Sequence, residues 1–173
     1  MDKKYINWNS IEFYSINVAL QIKASLPYLR NNSHCIVALS KGGLIPARLI
    51  ARELDTREIF CLGLSSYTED NKRENSVEVY QPLNVESVAT RINSYQDVIF
   101  VDDIVDTGQT YRYVRQYWDS IESDILKTAE RRVNLYTSAL IYKPANQEVH
   151  SPDFFGVLME GDEWVVFPWE NKK

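Results

Sequence analysis

The stretch from Val98 to Val114 places a short apolar run directly before three acids and a loop of small and polar residues. The run Val98–Val101 is apolar and mostly β-branched, which is typical of a strand that is covered on both faces. Helices cover parallel sheets in this way, so the run predicts an α/β fold. Asp102, Asp103 and Asp106 follow where the strand ends, and the carboxyl ends of parallel strands are where such sheets bind ligands.

The loop from Asp106 to Thr110 has the sequence Asp-Thr-Gly-Gln-Thr and precedes a predicted helix. Hydroxyl groups and free backbone N–H groups at a helix N-terminus can surround a phosphate. The alternative is an ordinary strand-to-helix turn in which an Asp or a Thr caps the helix. Because that alternative leaves three clustered acids unexplained, a phosphate site is the favoured interpretation.

Strands and helices alternate along the chain, which predicts a mostly parallel, twisted sheet flanked by helices. The predicted strands cover residues 35–39, 58–64, 77–80, 98–101, 133–142 and 154–158. The predicted helices start near Asn9, at Ala47 (ending at Leu54), at Asn84 (ending near Tyr95) and after Gly108 (ending near Ile121). His34 is assigned to a solvated loop.

The 173 residues predict a single domain over residues 1–173. A net charge of −5 gives no reason to expect a nucleic-acid partner.

Cys35 and Cys61 lie in apolar runs, which indicates core thiols of a reduced compartment. No apolar run approaches the roughly 20 residues that cross a bilayer, and the N-terminus lacks the apolar core of a secretory signal. We therefore expect a cytoplasmic protein without a membrane partner.

A second glycine-containing loop, Ser40 to Pro46, follows the predicted strand 35–39. Gly42 and Gly43 permit backbone conformations that other residues avoid and let a ligand approach the main chain. Lys41 adds a positive charge beside those N–H groups. Many strand-to-helix loops contain two glycines, so an anion site and an ordinary turn both remain open here.

Three further segments have a structural and a functional interpretation. The polar segment from Thr68 to Ser76, with Lys72 and Arg73, predicts a solvated hairpin or a lid that brings cations over a phosphate-rich substrate. Lys143 ends a predicted strand, at the same sheet edge as the acidic loop. The aromatic tail from Glu163 to Glu170 is expected to serve packing or ligand binding.

The strand followed by VDDIVDTGQT and a helix resembles the signature of type I phosphoribosyltransferases. IVALSKGGLIPARLIARELD, LSSYTEDNKRE, IYKPA and EWVVFPWE resemble the first strand–helix unit, flexible loop, purine-contacting strand end and C-terminal hood of the bacterial xanthine-guanine enzymes. The resemblance runs from about Tyr5 to Glu170. It implies the fold of that family, with a small hood formed by the N-terminal segment and about residues 144–170, and a homo-oligomer, dimer or tetramer.

The resemblance also implies a reaction and a set of residue roles. Phosphoribosyl pyrophosphate and a 6-oxopurine (guanine, hypoxanthine or xanthine) would give the nucleoside 5′-monophosphate and pyrophosphate, with Mg²⁺ as cofactor. Asp106 would manage the proton at purine N7. Ribose and 5′-phosphate would be held by Asp102, Asp103, Thr107, Gly108, Gln109 and Thr110. Pyrophosphate would be held by Lys41, Gly42 and Gly43, on a turn that has a non-proline cis peptide in the family, and by Lys72 and Arg73 of the flexible loop. The base would contact Lys143, Trp164 and Val165, and the metal would lie near Asp102, Asp103 and Glu170.

Three positions depart from the pattern of the xanthine-guanine enzymes. Lys41 stands where they usually have Arg, which keeps the charge but loses a bidentate donor. Gln109 replaces a small residue, so either its side chain points away from the phosphate or the loop is altered, and Val166 replaces a Glu. These departures leave the preferred base open. They also keep two alternatives in view: a nucleotide-sensing regulator with little or no activity, and a phosphoribosyltransferase for another base.

Overall fold

The computed structural model describes residues 2–26, 34–67, 73–84, 96–128, 132–144 and 150–170. Its strands are β1 (Lys3–Tyr5), β2 (His34–Ser40), β3 (Ile59–Tyr67), β4 (Arg73–Gln81), β5 (Asp97–Val105), β6 (Asn134–Tyr142), β7 (Phe154–Leu158) and β8 (Trp164–Val166). Its helices are α1 (Trp8–Ser25), α2 (Leu44–Leu54) and α3 (Gln109–Thr128). Six strands form the main sheet in the order β4-β3-β2-β5-β6-β7, and β1 and β8 form a separate pair.

The main sheet is parallel except for the antiparallel β3–β4 hairpin. β5 lies near its centre, and the run from Val98 to Val101 is fully buried. Val98 and Phe100 pack in the cluster that contains the buried face of α3. Ile99 and Val101 pack in the cluster with α1 and α2 on the other face. The predicted mostly parallel sheet flanked by helices is therefore confirmed, and the alternation of side chains along β5 explains the two layers.

Helix α1 packs beside β7 and supplies polar partners to this edge strand. The Gln21 side-chain amide donates to the carbonyl of Phe155 at 2.6 Å, and the Asn17 amide donates to the carbonyl of Gly156 at 3.2 Å. An exposed strand edge invites pairing with another chain, so these side chains take the place of a further strand. Gly156 permits the close approach, because a Cβ there would lie 2.7 Å from the backbone carbonyl oxygens of Leu140 and Tyr14.

The β1–β8 pair joins the two ends of the chain. Lys3, Lys4 and Tyr5 pair in parallel with Trp164, Val165 and Val166, respectively. A third apolar cluster packs beneath the pair and connects it to β6; its buried members are Ile6, Ile11, Leu140, Ile141, Met159, Val165 and Phe167. The pair contains the N-terminal and C-terminal segments that were expected to form a hood, while its role as a hood stays a prediction.

Several element boundaries differ from the predicted ones. α1 starts earlier because Asn7, not Asn9, caps it, accepting a hydrogen bond from the N–H of Ser10 at 2.9 Å. α3 continues past Ile121 to Thr128 because Ile125 extends its buried face. The short helix predicted over 84–95 lies outside the described residues, apart from Asn84. None of the helices in the described ranges is long and apolar enough to span a membrane.

The assignment of His34 to a solvated loop was wrong. His34 is the first residue of β2 and only 1% exposed, and its Nε2 is hydrogen-bonded to the Thr56 hydroxyl. Burial lowers the pKa of the His34 imidazole, and the negative charge of Asp97 offsets part of that effect. The position was misassigned because a polar stretch precedes it, whereas parallel pairing with Asp97 carries the strand one residue further.

Replacing Gly156 by Ala tests the packing of α1 on β7. The added methyl group must displace backbone atoms of two elements, so we expect the free energy of unfolding to fall by about 2 kcal/mol. Urea denaturation measures this change. Leu158→Ala on the same strand is the control; this side chain is 45% exposed, and its loss should cost less than about 1 kcal/mol. Equal effects of the two substitutions would contradict the account of the close approach.

Candidate active site

A cleft of about 1340 Å³ opens at the carboxyl ends of β2, β5 and β6. Parallel pairing with Ala38 opposite Val101 and Asp102 opposite Ala139 places the loops after these strands side by side. Twelve residues predicted for the site line the cleft: Lys41, Gly42, Asp102, Asp103, Asp106, Thr107, Gly108, Thr110, Lys143, Trp164, Val165 and Glu170. The structure therefore brings together segments that are up to 129 positions apart in the sequence.

Four predicted site residues have other placements. Gly43 and Gln109 are not among the residues that line the cleft. Gln109 is the first residue of α3, and the direction of its side chain stays a prediction. Lys72 lies outside the described residues, and Arg73 begins β4.

The glycines after β2 are required by the approach of that turn to β5. A Cβ on Gly43 would lie 2.1 Å from the carbonyl oxygen of Val101, and a Cβ on Gly42 would lie 2.3 Å from a carboxylate oxygen of Asp103. Any larger residue would collide with the backbone of β5 or displace the Asp103 carboxylate. The peptide bond between Ser40 and Lys41 is cis, as the resemblance implied for this turn.

The carboxylates of Asp102 and Asp103 are held in an environment that opposes their negative charge. Burial raises the pKa of Asp102 well above its usual range, and the neighbouring charge of Asp103 adds to the effect. The pKa of Asp103 is raised to about 6, mainly by burial and in part by the negative charge of Glu170. Asp102 also accepts a hydrogen bond from the N–H of Asp103 at 3.0 Å. Such crowding of acids favours the binding of positive charge.

The carboxylates fit a hard cation whose remaining ligands come from elsewhere. Glu170 is fixed at the end of β8 because its Oε2 accepts the N–H of Phe167 at 2.9 Å. Within the described parts of the chain, no three His, Cys, Asp or Glu side chains are grouped closely enough to hold a metal by themselves. Carboxylate oxygens suit Mg²⁺, which usually takes only one or two carboxylates and completes its shell with waters and substrate phosphates.

The loop after β5 turns sharply into α3. Gly108 has φ = +78°, and a Cβ there would lie 2.9 Å from the carbonyl oxygen of His150. The hydroxyl of buried Tyr111, in the first turn of α3, donates to the carbonyl of Ser138 at 2.5 Å. This bond fixes the start of α3 against β6, so the N-terminus of the helix is presented to the cleft.

Lys143 is buried in the opposite wall of the cleft and tied to the tail of the chain. It is 5% exposed, and its Nζ donates to the carbonyl of Glu163 at 2.9 Å. Its backbone N–H donates to the carbonyl of Val105 at 2.9 Å. Trp164, next to Glu163, remains 49% exposed at the mouth of the cleft. A charged donor and an aromatic face thus lie on the same wall.

Several cleft residues were not found from the sequence, and Tyr80 and Ser40 are the clearest cases. Their hydroxyl groups are 2.8 Å apart, although 40 residues separate them. No motif marks Tyr80, because only the pairing of β2, β3 and β4 brings it to the cleft. The aromatic side chains of Phe167 and Trp169 also line the cleft and are stacked, with ring centroids 4.7 Å apart.

Comparisons with known proteins agree with this arrangement. The family model described as "Phosphoribosyl transferase domain" matches residues 5–172. The xanthine-guanine phosphoribosyltransferase of Idiomarina loihiensis is 31% identical over 135 residues, which cover 78% of this chain and 70% of that protein.

Two solved structures share the fold of this chain. The purine phosphoribosyltransferase of Pyrococcus horikoshii has a TM-score of 0.68 at 23% identity, covering 100% of this chain and 97% of that one. A protein of Neisseria gonorrhoeae with bound ppGpp has a TM-score of 0.71 at 20% identity, covering 98% and 90%. At these identities the likeness shows the fold alone.

The raised pKa of Asp103 predicts a pH-dependent effect of Asp103→Asn on stability. An aspartate whose pKa rises on folding opposes folding once the pH passes its unfolded-state value, and its full cost is reached above about pH 6. The amide cannot ionise, so the variant should gain stability over the unsubstituted protein. That gain should be about 1 kcal/mol larger at pH 8 than at pH 5.

Urea denaturation in EDTA at the two pH values measures this difference without a cation to relieve the charge. Asp119→Asn serves as the control, because Asp119 is exposed on α3. Its substitution should shift the free energy of unfolding equally at both pH values. A gain for Asp103→Asn that is larger at pH 5 would show that the carboxylate is not destabilised by its surroundings.

Proposed function

The chain belongs to the phosphoribosyltransferase family, and within it we propose that the protein transfers the 5-phosphoribosyl group from phosphoribosyl pyrophosphate to a 6-oxopurine. One observation carries the proposal: the acidic loop, the phosphate loop and the Lys143–Trp164 wall line a single cleft. Carboxylates suit the hydroxyl groups of the ribose, and the hydrogen-bond donors of the phosphate loop suit the 5′-phosphate. A buried cation and an aromatic ring on one wall suit a flat base that carries a carbonyl oxygen. The similar Idiomarina protein is named for xanthine and guanine, which supports a purine as the acceptor.

We assign the phosphoribosyl group to the loop after β5. Asp102 and Asp103 accept hydrogen bonds from the ribose hydroxyls, since a carboxylate offers acceptors only. The main-chain N–H groups of the loop and the hydroxyls of Thr107 and Thr110 bind the 5′-phosphate at the N-terminus of α3. Gly108 lets the backbone approach the phosphate because it adopts a positive φ.

Asp106 is the proposed proton acceptor at purine N7. It lines the cleft, lies in the chain between Asp103 and Thr107, and is half-buried. A carboxylate that accepts the proton from N7 leaves more electron density on the ring. The ring nitrogen that attacks C1′ therefore becomes more nucleophilic. A positioned general base contributes about 10²- to 10⁴-fold to a rate.

The pyrophosphate side of the reaction belongs to the turn after β2. We assign the leaving group, whose negative charge grows during the reaction, to Lys41 and the N–H group of Gly42, since the N–H group of Gly43 already donates to the carbonyl of Leu39 at 2.8 Å. Mg²⁺, when bound, supplies further positive charge to the pyrophosphate, and Asp102, Asp103 and Glu170 are the residues that would lie near it. Lys72 and Arg73 are proposed to add cations from the β3–β4 hairpin when it closes over the substrate.

Lys143 is proposed to select the base by donating to the purine 6-oxo group. An ammonium group has three donors, so Lys143 can keep its bond to the Glu163 carbonyl and still donate to the base. An amino group at the same purine position cannot accept this bond, which disfavours adenine. Trp164 would stack on the base, and the main-chain carbonyl of Val165 would accept from an exocyclic amino group. A cytoplasmic location and a homo-oligomer stay predictions.

Incubation of the purified protein with phosphoribosyl pyrophosphate, Mg²⁺ and one base at a time tests the proposal. Nucleoside 5′-monophosphate should form from guanine, hypoxanthine or xanthine, and not from adenine. Formation from a pyrimidine alone would assign the enzyme to another base. Nucleotide binding without any turnover would support the nucleotide-sensing alternative and overturn the proposal.

Asp106→Asn tests the proton role. The amide keeps the size of the side chain but cannot accept the proton, so we expect kcat to fall at least about tenfold. Steady-state rates with the preferred base measure the loss. Asp119→Asn on the exposed side of α3 is the matched control and should leave kcat within twofold. Unchanged turnover of Asp106→Asn would remove this residue from the proton transfer.

A further inference from the structure

Tyr80 connects the β3–β4 hairpin to the turn that follows β2. Ser40 pairs with Gly63 across β2 and β3, and Gly63 pairs with Gln81 across β3 and β4. The Tyr80 side chain therefore reaches across the whole width of β3 to arrive at Ser40. Its hydroxyl lies 2.8 Å from the Ser40 hydroxyl and 3.4 Å from the Ser40 carbonyl oxygen.

This contact depends on the absence of a side chain at Gly63. A Cβ there would lie 2.6 Å from Cε2 and 2.8 Å from Cζ of the Tyr80 ring. An aromatic ring that covers a glycine on the neighbouring strand is a known way of fixing strand register. Here the ring also brings its hydroxyl group to β2, which lies two strands away from β4. Fixing the register of β3 and β4 does not require this hydroxyl group.

Ser40 is the residue from which the pyrophosphate turn begins. It is the last residue of β2, and Lys41 and Gly42 follow it in the wall of the cleft. Tyr80 is itself 49% exposed and lines the same cleft. A displacement of Tyr80 would therefore displace Ser40, to which it is hydrogen-bonded. The displacement of Ser40 would in turn shift the turn that follows it.

We propose that Tyr80 is a positioning residue for pyrophosphate. Its hydroxyl holds Ser40 and thereby sets the orientation of the N–H groups and the lysine in the turn that follows. This proposal rests on the proposed function, because it assigns the turn to the pyrophosphate of phosphoribosyl pyrophosphate. It also connects β4 to the substrate through Ser40, independently of any contact by Lys72 or Arg73.

Tyr80 could instead act only as a register staple, that is, a side chain that fixes the pairing of β3 with β4. Its substitution would then have a different pattern of effects. Loss of a staple lowers stability and leaves the affinity of the folded protein for its ligands unchanged. Loss of a positioning hydroxyl weakens the binding of pyrophosphate and of phosphoribosyl pyrophosphate, and leaves the KM for the base as it was. Affinity measured beside stability therefore separates the two roles.

Tyr80→Phe removes only the hydroxyl and keeps the ring over Gly63. We expect the Kd for pyrophosphate with Mg²⁺, measured by calorimetry, to rise about three- to tenfold, the usual effect of one neutral hydrogen bond. The KM for phosphoribosyl pyrophosphate should rise by a similar factor, while the KM for guanine changes less than twofold. Tyr136→Phe is the matched control, because Tyr136 packs against Phe154 away from the cleft; it should change none of these values.

A double-mutant cycle with Ser40→Ala identifies the route of the effect. If Tyr80 acts through Ser40, Tyr80→Phe should weaken pyrophosphate binding less than twofold in the Ser40→Ala background. A full three- to tenfold effect in that background would show that the effect does not pass through the bond between the two hydroxyl groups, which overturns the positioning role assigned to that bond. Unchanged affinity of Tyr80→Phe, with or without a lower melting temperature, would reduce Tyr80 to a register staple.

The unsubstituted protein separates this inference from the proposed function. If it binds neither pyrophosphate nor phosphoribosyl pyrophosphate, the assignment of the turn fails and the inference falls with it. If it binds both and Tyr80→Phe binds them equally well, the inference alone is wrong and the proposed function stands.

Discussion

The close approach of the turn after β2 to the end of β5 is the constraint on which the cleft depends. Gly42 and Gly43 lie where any Cβ would meet the Asp103 carboxylate or the Val101 carbonyl oxygen. Parallel pairing of β2 with β5 creates this proximity, and the glycines make it tolerable. One turn thus presents its N–H groups beside one acidic loop, and the cleft acquires donors and acceptors within a small volume. Without this contact the turn after β2 and the acidic loop after β5 would remain two separate strand ends.

The acids at this junction are the energetic cost of the arrangement. Burial raises the pKa of both Asp102 and Asp103, and the charge of Asp103 adds to the effect at Asp102 as the charge of Glu170 does at Asp103. Such a store of unfavourable charge is typical of functional sites. Glu170 joins them from the segment that follows β8, held by hydrogen bonds with the backbone of Phe167. The tail therefore closes one side of the cleft and adds to its electrostatic character.

Much of the fold and site was predictable because the constraints are local. The apolar run at 98–101 implied a strand covered on both faces, and the acids and glycine that follow it implied a ligand loop. What failed depended on pairing between distant segments. His34 follows a polar stretch that is typical of a loop, and it belongs to a strand only because it pairs with Asp97. Tyr80 belongs to the cleft only because Gly63 leaves space between two strands, and no pattern within either segment encodes that contact.

The proposed function assigns three roles to the loop after β5. Asp102 and Asp103 bind the ribose, Asp106 accepts the proton at N7 of the base, and residues 107–110 bind the 5′-phosphate. A crystal structure with a purine nucleoside 5′-monophosphate tests this division most directly. The account predicts the 5′-phosphate on the N–H groups of residues 107–110, the ribose hydroxyls on Asp102 and Asp103, and the base between Lys143 and Trp164. A nucleotide seated with its base on Asp102 and Asp103, or outside this cleft, would contradict these assignments.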